Sequence, residues 1–167
     1  AVSKPYSFIE LIGNININKN YISDGFTYIE DPSTGNIVKQ DLTDNLIGGF
    51  PNILLNAAIN FNYENLSIQL SGKYLGKFYS DNYYNKLNEY LQKYADFVDY
   101  SDNVVDPYFI ANLQLNYNFS LQPISENIKL TLQVNNLFDK LYASYAYGKE
   151  FFPGAERNIY FATKVEF

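Results

Sequence analysis

Period-two alternation of apolar and amide side chains constrains this chain more than any other feature. Phe109, Ala111, Leu113, Leu115, Tyr117 and Phe119 occupy every second position, with Asn112, Gln114, Asn116 and Asn118 between them. Successive side chains of an extended chain point to opposite faces, so the segment reads as a strand with one greasy face and one amide-lined face. The pattern recurs as Ile128, Leu130, Leu132, Val134 against Lys129, Thr131, Gln133, Asn135, and as Ile159, Phe161, Val165, Phe167 against Asn158, Lys164, Glu166. Upstream it recurs as Ile9, Leu11, Ile15, Ile17 against Asn14, Asn16, Asn18, and as Ile53, Leu55, Ala57, Ile59, Phe61 against Asn52, Asn56, Asn60, Asn62. A further instance sets Leu66, Ile68, Leu70, Tyr74, Phe78 against Ser67, Gln69, Ser71, Lys73, Lys77. Strands are therefore predicted at 6–19, 50–63, 66–79, 108–119, 128–139 and 158–167.

The connections run 30, 2, 28, 8 and 18 residues, alternating long and short without exception. That is the plan of a meander inserted in an outer membrane, with short turns on the periplasmic side and long loops outside. Strand length agrees: at roughly 3.3 Å per residue, a 12-residue strand tilted about 45° rises about 28 Å, enough for an apolar band of roughly 25 Å. Globular strands average about half that length. Charge placement agrees too, because Lys or Arg facing lipid at the midplane costs roughly 2–4 kcal/mol. Lys19, at a loop end, is the one charge on the apolar faces, whereas Glu10, Lys73, Lys77, Lys129, Asp139, Lys164 and Glu166 lie on the opposite ones. A soluble barrel or sandwich also alternates, but its outer face is rich in ions. Here that face is mostly Asn, Gln and Ser, which suits a watery or plugged lumen. Aromatics near strand ends, among them Tyr63, Phe78, Tyr117, Phe119, Phe138 and Phe167, match interfacial girdles.

Composition removes several function classes. The 167 residues include no His and no Cys, so no thiol nucleophile, Ser-His pair or His/Cys metal site can be assembled; an enzyme is not expected, nor a cofactor or metal. With 12 Lys+Arg against 18 Asp+Glu the net charge is −6, which gives no footprint for nucleic acid. No apolar run approaches the about 20 residues of a helical span. The chain opens at Ala1 with neither an initiator Met nor a signal peptide, and reads as a mature product or a piece of something longer. Within the long connections, Leu87, Tyr90, Leu91, Tyr94 and Val98 predict a short helix in Asn85 to Tyr100, and Phe26 to Ile29 with Ile37-Val38 predicts a small hairpin.

The fold class is thus all-β: an antiparallel up-and-down transmembrane barrel segment of about six strands, incomplete as a barrel, with long extracellular loops. Six strands are too few to close, since the smallest outer-membrane barrels have about eight. The C-terminal end carries Asn135-Asn136-Leu137-Phe138-Asp139-Lys140-Leu141-Tyr142, then Pro153-Gly154-Ala155-Glu156-Arg157-Asn158-Ile159-Tyr160, then Phe167. This resembles the end of TonB-dependent outer-membrane receptors, as Lys73 to Asn82 resembles an earlier strand and loop start of that family. The resemblance implies that residues 1–167 are the C-terminal part of a receptor barrel of roughly 22 strands, with the plug domain and the TonB-contacting segment absent. It implies uptake of a large scarce solute, foremost an iron-siderophore complex, across the outer membrane of a Gram-negative bacterium. The implied partners are outer-membrane lipid, the missing plug, TonB through the absent N-terminal part, and the assembly machinery through the strand ending in Phe167. Asn135, Asn136, Leu137, Phe138, Asp139, Pro153, Gly154, Arg157 and Phe167 read as barrel-closure devices. A soluble or cell-surface β-sheet binding module is the alternative.

Candidate ligand contacts are few. Tyr142, Tyr145 and Tyr147, with Phe151 and Phe152, concentrate aromatic surface in the last long loop. Lys73 and Lys77 face the lumen, where they attract an anionic chelate or pair with a plug carboxylate. Asp96, Asp99, Asp102 and Asp106 lack the spacing of a calcium loop and read as a solvated acidic stretch. Residues 20–49 carry one Lys and five carboxylates, and residues 80–107 two Lys and six, so each is −4 and the acidity gathers at the outer vestibule.

Overall fold

A computed structural model describes residues 1–30, 34–89, 102–123 and 125–166, without the side chain of Ile29. In chain order the strands are β1 (Val2–Tyr6), β2 (Ile9–Ile17), β3 (Phe26–Glu30), β4 (Ile37–Asp41), β5 (Ile53–Tyr63), β6 (Leu66–Leu75) and β7 (Phe78–Tyr79). They continue as β8 (Val104–Val105), β9 (Tyr108–Leu121), β10 (Ser125–Asn135), β11 (Ala143–Tyr147), β12 (Glu150–Pro153) and β13 (Asn158–Glu166). Seven of them form one antiparallel sheet in the order β1-β2-β5-β6-β9-β10-β13, so every wall strand pairs with its neighbour along the chain. The sheet is open, with β1 and β13 at its two edges. The other six pair as the small two-stranded sheets β3-β4, β7-β8 and β11-β12, all within the long connections.

Register carries the alternation across the whole wall. Glu10, Asn60, Gln69, Gln114, Gln133 and Tyr160 stand in line on six adjacent strands. One residue along, Leu11, Ile59, Leu70, Leu113, Val134 and Ile159 stand in line on the other face. The polar row is knitted by side chains: Asn60 Nδ2 donates to Glu10 Oε2 at 3.0 Å and Gln69 Nε2 to Asn60 Oδ1 at 2.8 Å. Cavities of about 180 and 90 Å³ open on this face, lined by Asn60, Gln69, Gln114, Gln133 and neighbours, as a sheet curled around its amide side produces. The apolar face is bare, with Ile59 49%, Ile159 64% and Phe161 70% exposed. Each such side chain left in water forgoes about 1.5–3 kcal/mol, so half a dozen forgo on the order of 10 kcal/mol, as much as a whole domain's stability. This face requires hydrocarbon or another protein against it.

The dry core lies elsewhere. Leu75, Phe78, Val105, Tyr108, Ile110 and Ala146 form a buried cluster, with Leu54, Tyr142 and Ala143 packed against it. Leu54, Leu75 and Tyr108 are in register and continue the amide face towards the loops. The loops thus fold inward over the loop end of that face and cover it with apolar side chains.

Three details differ from the sequence reading. A seventh wall strand, β1, precedes the six: the segment 6–19 breaks at Ser7-Phe8, and Val2–Tyr6 turns back onto β2, with Pro5 and Lys4 obscuring the alternation. Phe78 is buried in the inward cluster at 3% exposure and does not face outward, because β6 ends at Leu75 and the chain changes direction through Gly76-Lys77 before β7. The strand predicted at 128–139 stops at Asn135, where residues 136 and 139 take positive φ. In the second long connection a 3-10 turn at Tyr84–Lys86 leads into helical residues 87–89, and the remainder of the predicted helix lies outside the described residues. The hairpin predicted in the first long connection is present as β3-β4.

Candidate functional site

The three long connections, residues 18–52, 76–107 and 136–157, meet at Ser80-Asp81-Asn82. Ser80 Oγ donates to Gly148 O at 2.6 Å, and Gly148 N returns a bond to Ser80 O at 2.9 Å, tying the second connection to the third. Asn82 ties it to the first: its carbonyl accepts from Asn45 Nδ2 at 2.9 Å and its side-chain oxygen from Gly48 N at 2.8 Å. Asp81 Oδ1 accepts from Asn103 Nδ2 and from Tyr83 N, each at 2.8 Å, which folds the second connection on itself. Gly48 approaches so closely that a Cβ there would sit 2.7 Å from the Asp81 carbonyl oxygen. Gly148, at φ +56, turns between β11 and β12 in a conformation that glycine adopts without strain.

This junction surrounds a cavity of about 570 Å³, within the range of small-molecule sites. Thr27 and Leu42 come from the first connection, Ser80 to Tyr83 from the second, and Tyr145 and Tyr147 from the third. Aromatic faces, hydroxyls and amides therefore converge from three separate segments. The described lining has one carboxylate, Asp81, and neither Lys nor Arg. Gln40 pairs with Thr27 across β3-β4 and is 3% exposed, and neither amide atom has a hydrogen-bond partner. Asn45 is fully buried and its Oδ1 is likewise unpartnered.

The predicted ligand residues are distributed over several places. Tyr145 and Tyr147 line this cavity, and Tyr145 stacks at a tilt on Phe152 with ring centroids 5.7 Å apart. Tyr142 lies in the loop core, its ring 4.5 Å from that of Tyr108. Lys77 lines a second cavity of about 410 Å³ with Lys19, Phe50 and Tyr84. Its ammonium lies 5.2 Å from the Tyr79 ring centroid, and a hydrogen bond to Tyr79 holds its pKa above the ordinary lysine value. Lys73 stands in register with Asn56 on the wall, in neither cavity. Thr27, Ser80, Asn82 and Tyr83 escaped the sequence reading; the Ser80-Asp81-Asn82 run signals a turn but not its long-range partners. Among the described residues no cluster of three or more His, Cys, Asp or Glu could hold a metal, and Asp96 and Asp99 lie outside them.

Several residues expected to act in barrel closure, Asn136, Asp139 and Arg157 among them, are joined by hydrogen bonds in one knot. Asn136, 3% exposed, donates from Nδ2 to Lys140 O at 2.9 Å and to Ala155 O at 3.0 Å, and its Oδ1 accepts from Lys140 N at 2.9 Å. Asn136 N bonds Asn112 Oδ1 at 2.9 Å, and Leu137 N bonds Ala111 O at 2.7 Å, anchoring the knot to β9. Asp139 Oδ1 accepts from Arg157 N at 2.9 Å, and its other oxygen lies 3.6 Å from the half-exposed Arg157 guanidinium. Asn135 joins β10 to β13 through Asn158 at 2.8 Å. Pro153 ends β12, and Gly154 leaves room for Tyr142, whose ring would lie 2.0 Å from an added Cβ. Phe138 is exposed, and Phe167 is outside the described residues.

The fold, an amphipathic antiparallel wall with long loops folded over one end of its amide face, is shared with solved receptor structures. It aligns with the siderophore receptor PiuA from Acinetobacter baumannii over 97% of this chain and 20% of that one, at 16% identity and a TM-score of 0.70. The ferric yersiniabactin uptake receptor FyuA from Yersinia pestis aligns over 99% of this chain and 22% of its own, at 14% identity and a TM-score of 0.63. The closed form of the ferric-catecholate import receptor Fiu from E. coli K12 aligns over 97% and 19%, at 18% identity and a TM-score of 0.62. At these identities the likeness is one of fold, and the chain spans about a fifth of the length of each. No protein-family model and no curated protein matches the sequence.

Proposed function

We propose that residues 1–167 are the C-terminal part of the barrel of a TonB-dependent outer-membrane receptor that takes up an iron-siderophore complex in a Gram-negative bacterium. The observation that carries this reading is the exposed outer row from Leu11 to Ile159 backed by an amide row, which is stable against lipid and costly against water. The loops capture the solute above the wall. A plug domain inside the lumen, rearranged by TonB, releases it inward, and no covalent chemistry is involved. The strand ending in Phe167 engages the assembly machinery.

Expressing the full reading frame in an iron-starved Gram-negative host stripped of its own receptors tests this. The expected result is a protein in the outer-membrane fraction that needs detergent for extraction and supports uptake of radiolabelled iron chelate only when TonB is present. A monomer recovered from the soluble fraction without detergent would instead identify a soluble β-sheet binding module.

A further inference from the structure

Resting on the receptor reading, we propose that the three-loop cavity selects an uncharged ferric chelate of the trihydroxamate class and rejects anionic tricatecholates. The charge of the site decides this. Asp81 is the one ionic group of the described lining, and two of the loops that build the cavity carry −4 each. Three singly deprotonated hydroxamates cancel the charge of ferric iron, whereas three doubly deprotonated catecholates leave the complex triply negative. A trianion would meet a carboxylate with no Lys or Arg among the described lining residues, inside a field that is repulsive over about a Debye length, roughly 8 Å at physiological salt. A neutral chelate meets no such barrier.

The remaining lining suits the surface such a chelate presents. Tyr83, Tyr145 and Tyr147 offer aromatic faces to its hydrocarbon arms. Thr27, Ser80 and Asn82 offer short neutral hydrogen-bonding groups to its peptide and hydroxamate oxygens. Of the lysines singled out by the sequence, Lys77 lines the separate 410 Å³ cavity together with Lys19, and Lys73 stands on the wall.

The test uses the full-length receptor in detergent with two probes, ferrichrome as the neutral trihydroxamate and ferric enterobactin as the tricatecholate, at low and high salt. Ferrichrome should bind with an affinity that changes less than about twofold with salt, since a neutral ligand has no charge to screen. Tyr145→Ala and Tyr147→Ala, both at exposed side chains, should each weaken it about tenfold. Asp81→Asn, which keeps the acceptor oxygen for Asn103 and Tyr83 and removes the charge, should narrow the ratio between ferrichrome and enterobactin affinities by strengthening enterobactin relative to ferrichrome; an unchanged ratio would overturn the charge selection. Tighter binding of enterobactin than of ferrichrome by the wild type would overturn the charge selection while leaving the receptor reading intact. Ferrichrome binding indifferent to both Tyr variants would overturn the cavity as its site. Failure to bind either chelate, together with failure to support TonB-dependent growth on any ferric chelate, would overturn the receptor reading itself.

Discussion

Replacing Asn136 by Ala should loosen the last long connection without opening the wall, and the size of the effect follows from its contacts. The Asn136 side chain makes three hydrogen bonds within residues 136–155, to Lys140 N, Lys140 O and Ala155 O, at 2.9 to 3.0 Å. At about 1 kcal/mol net each, with part recovered by water at the exposed carbonyls, their loss costs about 2 kcal/mol. The residue also sits at φ +51, where Ala is disfavoured by about 1 kcal/mol. The sum, about 3 kcal/mol, corresponds to local opening about two orders of magnitude more frequent. Hydrogen exchange on the full-length protein reads this directly at the amides of Leu137, Lys140, Gly154 and Arg157, all bonded within or beside the knot. Asn136→Gly removes the same bonds but not the backbone preference, so its exchange should rise about fivefold to tenfold less than that of Ala. Ala-variant exchange within about threefold of wild type, or Gly no better than Ala, would refute the knot as the element that holds this loop.

Phe161→Arg places a charge near the middle of the outward face of β13 and should cost roughly 2–4 kcal/mol of folding stability in a bilayer, measured by urea titration in vesicles; an unchanged midpoint would mean that no lipid contacts this face. Gly48→Ala drives a Cβ against the backbone of Asp81, so ligand affinity should fall while the protein still reaches the membrane, whereas Gly72→Ala meets only the movable ring edge of Phe109 and should be tolerated. Asp41, in the exposed β3-β4 hairpin, has its pKa lowered by hydrogen bonds from the Thr43 side chain and backbone. A depressed folded pKa stabilises above the ordinary aspartate range and ceases to do so as pH falls through the lowered value. The Thr43 amide should therefore lose exchange protection in acid, and Asp41→Asn should flatten that profile.

What the sequence made legible, and what it hid, divides along the wall and the loops. A wall strand announces itself because each residue's environment depends on its parity alone, so Ile128 to Val134 or Phe109 to Phe119 needs no knowledge of the partner strand. The register rows through Asn60 and Ile59 follow once the turns are placed. β1 escaped because five residues containing Pro5 and Lys4 hold too few alternations. Phe78 was assigned to the outer face because parity was carried through Gly76-Lys77, where the strand had already ended. In residues 142–152 aromatics crowd both faces, so β11-β12 gave no alternation to read. The ties among Asn45, Ser80, Asn82, Asn103 and Gly148 join residues tens of positions apart, and nothing local marks one loop Asn as the partner of a distant carbonyl.

The position of the cavity depends on the wall through two layers of contact. Along most of its length the amide face holds its side chains by hydrogen bonds to one another, as in Glu10, Asn60 and Gln69, an arrangement compatible with water. At the loop end the same face turns apolar at Leu54, Leu75 and Ile110, and Ala146 of β11 and Val105 of β8 close over it. Burial there fixes where β11 and β8 sit, and the Ser80-Gly148 pair then sets Tyr145 and Tyr147 opposite Asp81 and Tyr83. A change at any of these positions reaches the cavity through packing, because the three connections share one apolar floor and one hydrogen-bonded hub. A change at Tyr145 is accordingly coupled to residues of the second connection that do not line the cavity, which is the property the proposed capture site needs if occupancy is to be felt by the wall beneath it.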